Sequence, residues 1–265
     1  MYDAAYFQSL RDGMRRSASA AVPLLIECFQ PKSVVDVGCG EGIWLSIFQK
    51  LGVTDILGID GAWVSEDQRE IPATSFREHD LTQPLKLDRT FDIALCLEVA
   101  EHLPPSAGPV LVETLTRLAP VVVFSAAIPF QVGRGHINEQ WPSYWVKLFA
   151  QRGYECSNGL RARLWANDAV EIWYRQNILY FTVRGHRTRA ACADIALMDV
   201  VHPDLYGRVS ENLSTTIQYA KRLEVELQKC RDELASIKNS RVWRLYQGMS
   251  SAWAVPKRAI HEKSD

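Results

Sequence analysis

The chain has 265 residues, of which 47% are hydrophobic, and this is enough for one full α/β domain with an appendage. Its net charge of −1 gives no basic surface of the kind that binds a long nucleic acid. The six cysteines include no Cys-x-x-Cys pair, so neither a zinc knuckle nor a disulfide scaffold is expected. No apolar run reaches the ~20 residues of a membrane span, and the N-terminus does not have the pattern of a signal peptide. We therefore expect a cytoplasmic protein.

From the N-terminus to residue 184 the sequence alternates between predicted helices and short strands. Residues 1–30 predict a helical cap, made of one or two helices with a break at Pro23. Residues 31–184 predict an α/β domain with a doubly wound, mostly parallel, seven-stranded sheet whose last two strands pair antiparallel. The predicted strands are 33–37, 56–60, 74–78, 91–97, 121–125, 154–156 and 178–183, with helices at 43–51, 104–118 and 143–152.

Beyond residue 184 the strand pattern ends, and the prediction is a linker at 185–207, a long helix at 208–240 and a tail at 241–265. Between residues 209 and 238 the apolar positions follow steps of three and four, except for one 3–3 step around Ala220. This spacing fits either a single amphipathic helix or a coiled coil that makes a homo-oligomer. The aromatic and basic tail fits a contact with the inner face of a membrane or with a glycan-assembly partner, or a disordered end.

A glycine-rich turn follows the first predicted strand. The apolar run 34–37 ends in Gly38-Cys39-Gly40-Glu41-Gly42, and a predicted helix begins at once. Glycines allow a sharp turn and leave room for a ligand, while the helix N-terminus offers free N–H groups. The spacing is not the Gly-x-Gly-x-x-Gly of dinucleotide-binding proteins. Asp60 ends the second strand, where a carboxylate can accept both hydroxyl protons of a ribose.

These motifs resemble class I S-adenosylmethionine (SAM)-dependent methyltransferases over residues 33–183, which implies a Rossmann-like fold and SAM as the cofactor. The resemblance implies that the backbone of 36–42 holds the methionine moiety, that Asp60 binds the ribose and Asp80 the adenine amino group, and that Leu81 covers the adenine ring. The predicted cofactor-binding residues are Asp36, Gly38, Cys39, Gly40, Asp60, Gly61, Asp80, Leu81 and Glu98.

A second motif, Glu98-Val99-Ala100-Glu101-His102, follows the fourth strand. On one helical turn Glu98, Glu101 and His102 would share a face, and with His136 from the next loop they are candidate ligands for Mg²⁺ or Mn²⁺. The pattern resembles small-RNA 2′-O-methyltransferases and, in part, ubiquinone-pathway O-methyltransferases, which implies such a metal site. Alternatively, His136 acts as a general base without a metal. The predicted catalytic residues are His136, Glu98 and His102.

Residues 129–177 are predicted to bind the acceptor, because they combine aromatic, amide and guanidinium side chains. The candidates are Asn138, Gln140, Trp141, Tyr144, Arg161, Arg163 and Trp165. Segments 135–145 and 173–177 resemble methyltransferases of bacterial surface-polysaccharide pathways. The predicted reaction is a direct SN2 methyl transfer to a hydroxyl of a nucleotide-linked sugar or surface glycan. A natural product, a terminal RNA nucleotide, an amino-sugar nitrogen and a non-catalytic SAM-binding scaffold remain open.

Overall fold

The computed structural model describes residues 4–186 and 199–245, and side chains from residue 10 onward within them. The chain divides into two compact units, with the boundary between Val209 and Ser210. Among the described residues, no helix combines the length and the apolar character needed to cross a membrane.

A seven-stranded sheet forms the centre of the first unit, in the order β3-β2-β1-β4-β5-β7-β6. Its pairs are parallel except those that β7 makes with β5 and β6, which are antiparallel. The strand order reverses between β1 and β4, and ligands of doubly wound sheets bind outside the carboxyl ends of the strands at this point. The strands are β1 Ser33–Val37, β2 Asp55–Asp60, β3 Phe76–Glu78, β4 Ile93–Leu97, β5 Val121–Ser125, β6 Tyr154–Ser157 and β7 Leu179–Val183.

Helices cover both faces of this sheet, because neighbouring strand residues point to opposite sides. Val34 packs with α1, α2, α5 and α6 in one core, and Val35 packs with α3 and α4 in the other. The predicted doubly wound fold with a C-terminal helical extension is therefore confirmed. The helices are α1 Ala4–Phe29, α2 Ile43–Lys50, α3 Gly108–Leu118, α4 Pro142–Gln151, α5 Gly159–Leu164, α6 Ile172–Asn177 and α7 Pro203–Asn239, with short 3₁₀ turns at Glu66–Gln68, Ala73–Ser75, Ala100–His102 and Pro105–Ala107.

Two prolines act differently from the prediction. α1 continues through Pro23, which is exposed, while Ala18, Val22 and Leu25 of the same helix are fully buried against the sheet. That packing offsets a mid-helix proline, which costs about 3 kcal/mol. Pro203 lies in the predicted linker but starts α7, because the first helical position needs no N–H donor. The last part of the predicted linker is therefore helical; residues 187–198 of that linker and 246–265 of the tail lie outside the described residues.

The turn after β1 is held close to the end of β4. Gly38 has a φ of +84°, and its N–H donates to the Ile59 carbonyl oxygen at 2.7 Å. A Cβ on Gly38 would lie 2.3 Å from Cγ2 of Val99, which follows β4. Glycine is thus required here by close packing as well as by the backbone angle.

Replacing Gly38 by alanine tests this packing, with Gly52→Ala as the matched control. Gly52 has a similar φ of +95°, but a Cβ on Gly52 would meet nothing within 4 Å. Both variants suffer the left-handed strain of about 1–2 kcal/mol, and Gly38→Ala should lose about 1–3 kcal/mol more through the clash. Urea unfolding of the ligand-free protein measures both losses. Equal losses in the two variants would contradict this account.

Candidate functional site

Two aspartates lie at the carboxyl ends of β1 and β2. Asp60 accepts hydrogen bonds from the Gly40 N–H and the Gly61 N–H, both at 2.7 Å, so its carboxylate joins the glycine turn to β2. Burial raises the pKa of Asp60, although these two N–H donors oppose the shift. Asp36 is 3% exposed, and burial together with the charge of Asp60 raises its pKa to about 7.

Gly40, Cys39 and Asp80, which were also predicted to bind the cofactor, differ in their burial and in their contacts. A Cβ on Gly40 would meet nothing within 4 Å, so the turn leaves open space there. The Cys39 side chain is buried, and its Sγ packs so close to Gly58 that a Cβ on Gly58 would lie 2.7 Å from it. Burial raises the pKa of the Cys39 thiol. The Cys39 thiol donates to the Gly40 carbonyl oxygen at 3.4 Å, so it packs inside the turn. Asp80 is exposed and accepts from Thr82 N–H and Oγ1 at 2.9 and 2.8 Å, which lowers its pKa.

Glu98 follows β4 in a conformation that was not predicted from the sequence. Its φ is +56°, and its N–H donates to Ser125, to the carbonyl oxygen at 3.0 Å and to Oγ at 3.1 Å. Its carboxylate accepts from Asn177 Nδ2 at 3.1 and 3.2 Å and from Gln131 Nε2 at 3.3 Å. The expected helical turn from Glu98 to His102 is therefore wrong. A left-handed residue redirects the chain, and only the short 3₁₀ turn Ala100–His102 follows.

Glu101, His102 and His136 lie together beyond this turn. Each offers one potential ligand atom, and these atoms lie within 4.8 Å of one another. The two imidazole rings meet edge to face, with centroids 5.0 Å apart. Glu98 is not part of this group. Burial raises the pKa of the Glu101 carboxyl, and the neighbouring Glu98 charge raises it further.

The Glu101 carboxylate is fully buried. Its exposed fraction is 0%, and neither oxygen accepts a hydrogen bond of normal geometry from a described residue. The nearby backbone N–H groups of Glu101 and Ala127 lower its pKa, but less than burial raises it. Its main-chain oxygen, in contrast, accepts from Ile137 N–H at 2.9 Å and from Asn138 N–H at 3.1 Å. Asn138 Nδ2 also donates to the Ala100 carbonyl oxygen at 3.2 Å. These bonds attach the loop after β5 to the turn after β4 and so bring His136 to Glu101 and His102.

Glu139 organises the loop that carries His136, and this role was not predicted from the sequence. Its carboxylate accepts from Phe130 N–H at 2.8 Å and from Val132 N–H at 2.9 Å, and it lies 2.8 Å from His136 Nδ1. Phe130 and Val132 have φ angles of +69° and +59°, which are strained for residues with a side chain. The His136–Glu139 spacing of three residues was the signal available in the sequence.

Both histidines are oriented through one ring nitrogen. His136 Nδ1 faces Glu139, and His102 Nδ1 lies 3.3 Å from the Gly135 carbonyl oxygen. With the proton assigned to Nδ1 by these acceptors, Nε2 of each ring keeps its lone pair. This is the arrangement that metal-binding histidines usually have, because a second acceptor fixes the tautomer and the ring plane.

The predicted acceptor-binding residues fall into two places. Gln140 Nε2 donates to Asn138 Oδ1 at 3.0 Å, and Asn138 itself is buried, so these amides support the loop. Trp141 is 38% exposed, and Tyr144 packs edge to face on Trp145 with ring centroids 4.9 Å apart.

The residues predicted from the α5 region lie elsewhere. Arg163 pairs with Glu27 of α1 at 3.0 Å, and Trp165 packs on His202 with ring centroids 4.3 Å apart. Arg161 is 3% exposed. These contacts do not bring Arg161, Arg163 or Trp165 to the group of Glu101, His102 and His136.

Comparison with known proteins identifies the family of this chain. The family described as a methyltransferase domain matches residues 10–158, more than half of the chain. The chain belongs to this family. As a SAM-dependent methyltransferase it has SAM as its cofactor. No protein with curated annotation matches the sequence.

Three solved methyltransferase structures are similar to this chain. A sugar N-methyltransferase from Streptoalloteichus is 16% identical, with a TM-score of 0.52 over 69% of this chain and 96% of that chain, and at this identity the likeness concerns the fold alone. The methyltransferase domain of the bacterial protein CtHen1 is 19% identical, with a TM-score of 0.48 over 63% of this chain and 98% of that one. An amino pentose methyltransferase from Micromonospora echinaspora is 15% identical, with a TM-score of 0.49 over 69% of this chain and 98% of that one.

The buried Asp36 predicts how the stability of this methyltransferase depends on pH. Its folded pKa of about 7 lies above the ordinary value of 3.8, so the folded state keeps the proton more tightly. The contribution of Asp36 to the free energy of unfolding is fully present below about pH 4 and is lost as the pH rises through about 7. In Asp36→Asn, the free energy of unfolding should therefore fall by roughly 2–4 kcal/mol less over this pH range than in the wild type, because one pKa unit corresponds to about 1.4 kcal/mol.

Chemical unfolding of the ligand-free protein between about pH 4.5 and about pH 8 measures this difference, because the proton is lost within that range. The exposed Asp88 provides the control, because Asp88→Asn should leave the wild-type slope unchanged. An Asp36→Asn variant with the full wild-type slope would show that Asp36 ionises normally in the folded protein.

Proposed function

We propose that this methyltransferase transfers the methyl group of SAM to a hydroxyl oxygen of a sugar, either nucleotide-linked or part of a surface glycan. The observation that carries the proposal is the group of Glu101, His102 and His136. It lies after β4 and β5, beside the switch point at which the glycine turn and Asp60 lie. Donor and acceptor would thus meet at neighbouring strand ends.

The residues of this group fit a divalent cation. A buried carboxylate without a well-formed hydrogen bond is costly unless it gains a proton or a cation. The Glu101 oxygens have no hydrogen bond of normal geometry from a described residue, and the nearby backbone N–H groups of Glu101 and Ala127 offset the effect of burial only in part. Both histidines have the second acceptor that orients a metal-binding imidazole. Two imidazoles and one carboxylate suit Mn²⁺ better than Mg²⁺, which prefers oxygen ligands. Glu98, the fourth predicted ligand, is held by Asn177 and Gln131 instead.

SAM, when bound, supplies an activated methyl group for direct transfer to the acceptor oxygen. A cation held by Glu101, His102 and His136 would lower the pKa of a hydroxyl beside it. The chain itself positions the acceptor, because the Glu139 carboxylate fixes His136 and the loop. Positioning of this kind supplies much of the rate when the methyl donor is already reactive.

The loop surface supports a sugar as the acceptor. Phe130 is 77% exposed and Trp141 is 38% exposed, and both lie on the loop that carries His136. Aromatic rings offer an apolar face for the C–H groups of a sugar ring. A sugar carries hydroxyl groups on neighbouring carbon atoms, and two such oxygens can bind the same cation.

A metal-free mechanism is the rival for the same reaction. In it, His136 accepts the hydroxyl proton as a general base, and Glu139 stabilises the charged imidazole. The 2.8 Å contact between His136 Nδ1 and Glu139 supports this role as well. The two mechanisms differ in their response to a chelator.

Replacing Asp60 tests the cofactor half. Asp60→Asn should weaken binding of S-adenosylhomocysteine by about 10–100-fold, because charged hydrogen bonds contribute roughly 1.5–3 kcal/mol. Asp55→Asn, at the exposed start of the same strand, is the control and should bind as the wild type does. Calorimetric titration measures both affinities. Unchanged affinity in Asp60→Asn would remove this residue from the cofactor site.

Methyl transfer to a set of acceptors tests the acceptor half. Nucleotide-linked sugars, methyl glycosides and a short RNA with a free 3′ end are incubated with labelled SAM, with and without EDTA. We expect a sugar O-methyl product, turnover reduced by about 10–100-fold or fully lost with EDTA or in His102→Ala, and recovery of the EDTA-treated wild type with Mn²⁺, since changes at a metal site typically cost roughly 10–100-fold. His186→Ala, at an exposed histidine, should change nothing.

Three outcomes of this assay contradict parts of the proposal. Full activity in EDTA together with loss in His136→Ala favours the metal-free base. Methyl transfer to nitrogen contradicts O-methylation, and transfer to the RNA end alone contradicts the sugar acceptor.

A further inference from the structure

We propose that residues 211–239 of α7 form a parallel, in-register coiled coil with the same helix of a second copy of this chain. The proposal concerns the second compact unit, and it does not depend on the identity of the acceptor.

Every residue from 211 to 239 is exposed in the single chain, including a row of large apolar side chains. A helix with an apolar row in water gains stability when that row is covered. The exposed fractions are Leu213 59%, Ile217 46%, Leu223 44%, Leu227 51%, Leu234 51% and Ile237 54%.

Apart from Ile217, which falls at an e position, the row fits one unbroken heptad pattern. Placing Thr216 rather than Ile217 in the core removes the 3–3 step around Ala220, and α7 continues through this point as one helix. A sustained heptad makes helices wind around each other with the a and d positions facing the partner. The a positions are Leu213, Ala220, Leu227 and Leu234, and the d positions are Thr216, Leu223, Cys230 and Ile237.

The charges beside this row identify the occupant and its direction. Glu226 and Glu233 occupy g positions, while Arg231 and Lys238 occupy e positions, five residues further along the chain in each case. In a parallel, in-register pair a g residue faces the e residue five positions later in the other helix. Glu226 then faces Arg231 and Glu233 faces Lys238, and each pairing occurs twice in a symmetric dimer.

An antiparallel pair would instead bring g positions against g positions and e positions against e positions. With full overlap, Glu226 would then oppose Glu226 and Glu224 would oppose Glu224, while Arg231 and Glu233 would face the uncharged Ile217 and Tyr219. A second copy of the chain therefore fits this surface in one direction and register.

Cys230 reports the register directly. It is exposed and at a d position, whereas Cys28, Cys39, Cys96 and Cys156 are buried. A parallel, in-register pair places the two Cys230 side chains next to each other. An antiparallel pair with full overlap is centred near residue 225 and separates them by about ten residues, or about 15 Å.

Light scattering of the full chain tests the association. The expected mass is twice the 30.0 kDa of one chain. Leu227→Lys should give a monomer, because it places a charge in the core. Val225→Lys is the matched control: Val225 is 71% exposed at an f position of the same heptad, and this variant should stay dimeric. A monomeric wild type, or a dimeric Leu227→Lys variant, would overturn the proposal.

Cross-linking and charge exchange test the direction. In a Cys192→Ser background, mild oxidation should give a covalent dimer that Cys230→Ser abolishes without changing the mass in solution. Glu226→Lys with Glu233→Lys should dissociate the dimer, and adding Arg231→Glu with Lys238→Glu should restore it. A dimer that neither cross-links nor responds to charge reversal would overturn the parallel register.

Discussion

A buried carboxylate whose hydrogen bonds do not offset its burial favours the neutral form or a bound cation. Glu101 is in this position, because burial and the Glu98 charge raise its pKa more than nearby backbone N–H groups lower it, while its main-chain oxygen holds Ile137 and Asn138 of the next loop. The same residue therefore fixes the loop and leaves its side chain available beside His102 and His136. The proposed acceptor side of the site depends on both roles of Glu101.

The proposed cofactor side depends on a second buried carboxylate, but of a different kind. Asp60 accepts from the Gly40 N–H of the glycine turn and from the Gly61 N–H after β2, so its charge is compensated locally and it joins the turn after β1 to β2. Between the two sides, Glu98 turns the chain after β4 and is anchored by Asn177 of α6. The methyl donor and the hydroxyl acceptor would thus approach each other from separate, individually braced strand ends.

The periodicity of the sequence was sufficient to predict the sheet, its order of elements and the glycine turn, because buried strands and tight turns have strong local signals. It failed after β4, where Glu98 adopts a left-handed angle that no local pattern reveals. Glu139 was missed because its role arises from the folded loop. Arg163 was predicted to bind the acceptor, because its ion-pair partner Glu27 on α1 is distant in sequence and no local pattern reveals the pair. The predicted roles of the site residues remain predictions.

The most direct test of the proposed cation site is a titration of the full chain with Mn²⁺, in which electron paramagnetic resonance measures the free ion at each step. The account predicts one bound Mn²⁺ per chain, lost in Glu101→Gln and retained in Glu98→Gln, because only Glu101 belongs to the group with both histidines. Absence of binding in the wild type, or equal binding in Glu101→Gln, would contradict a cation site at this position and leave His136 as the base.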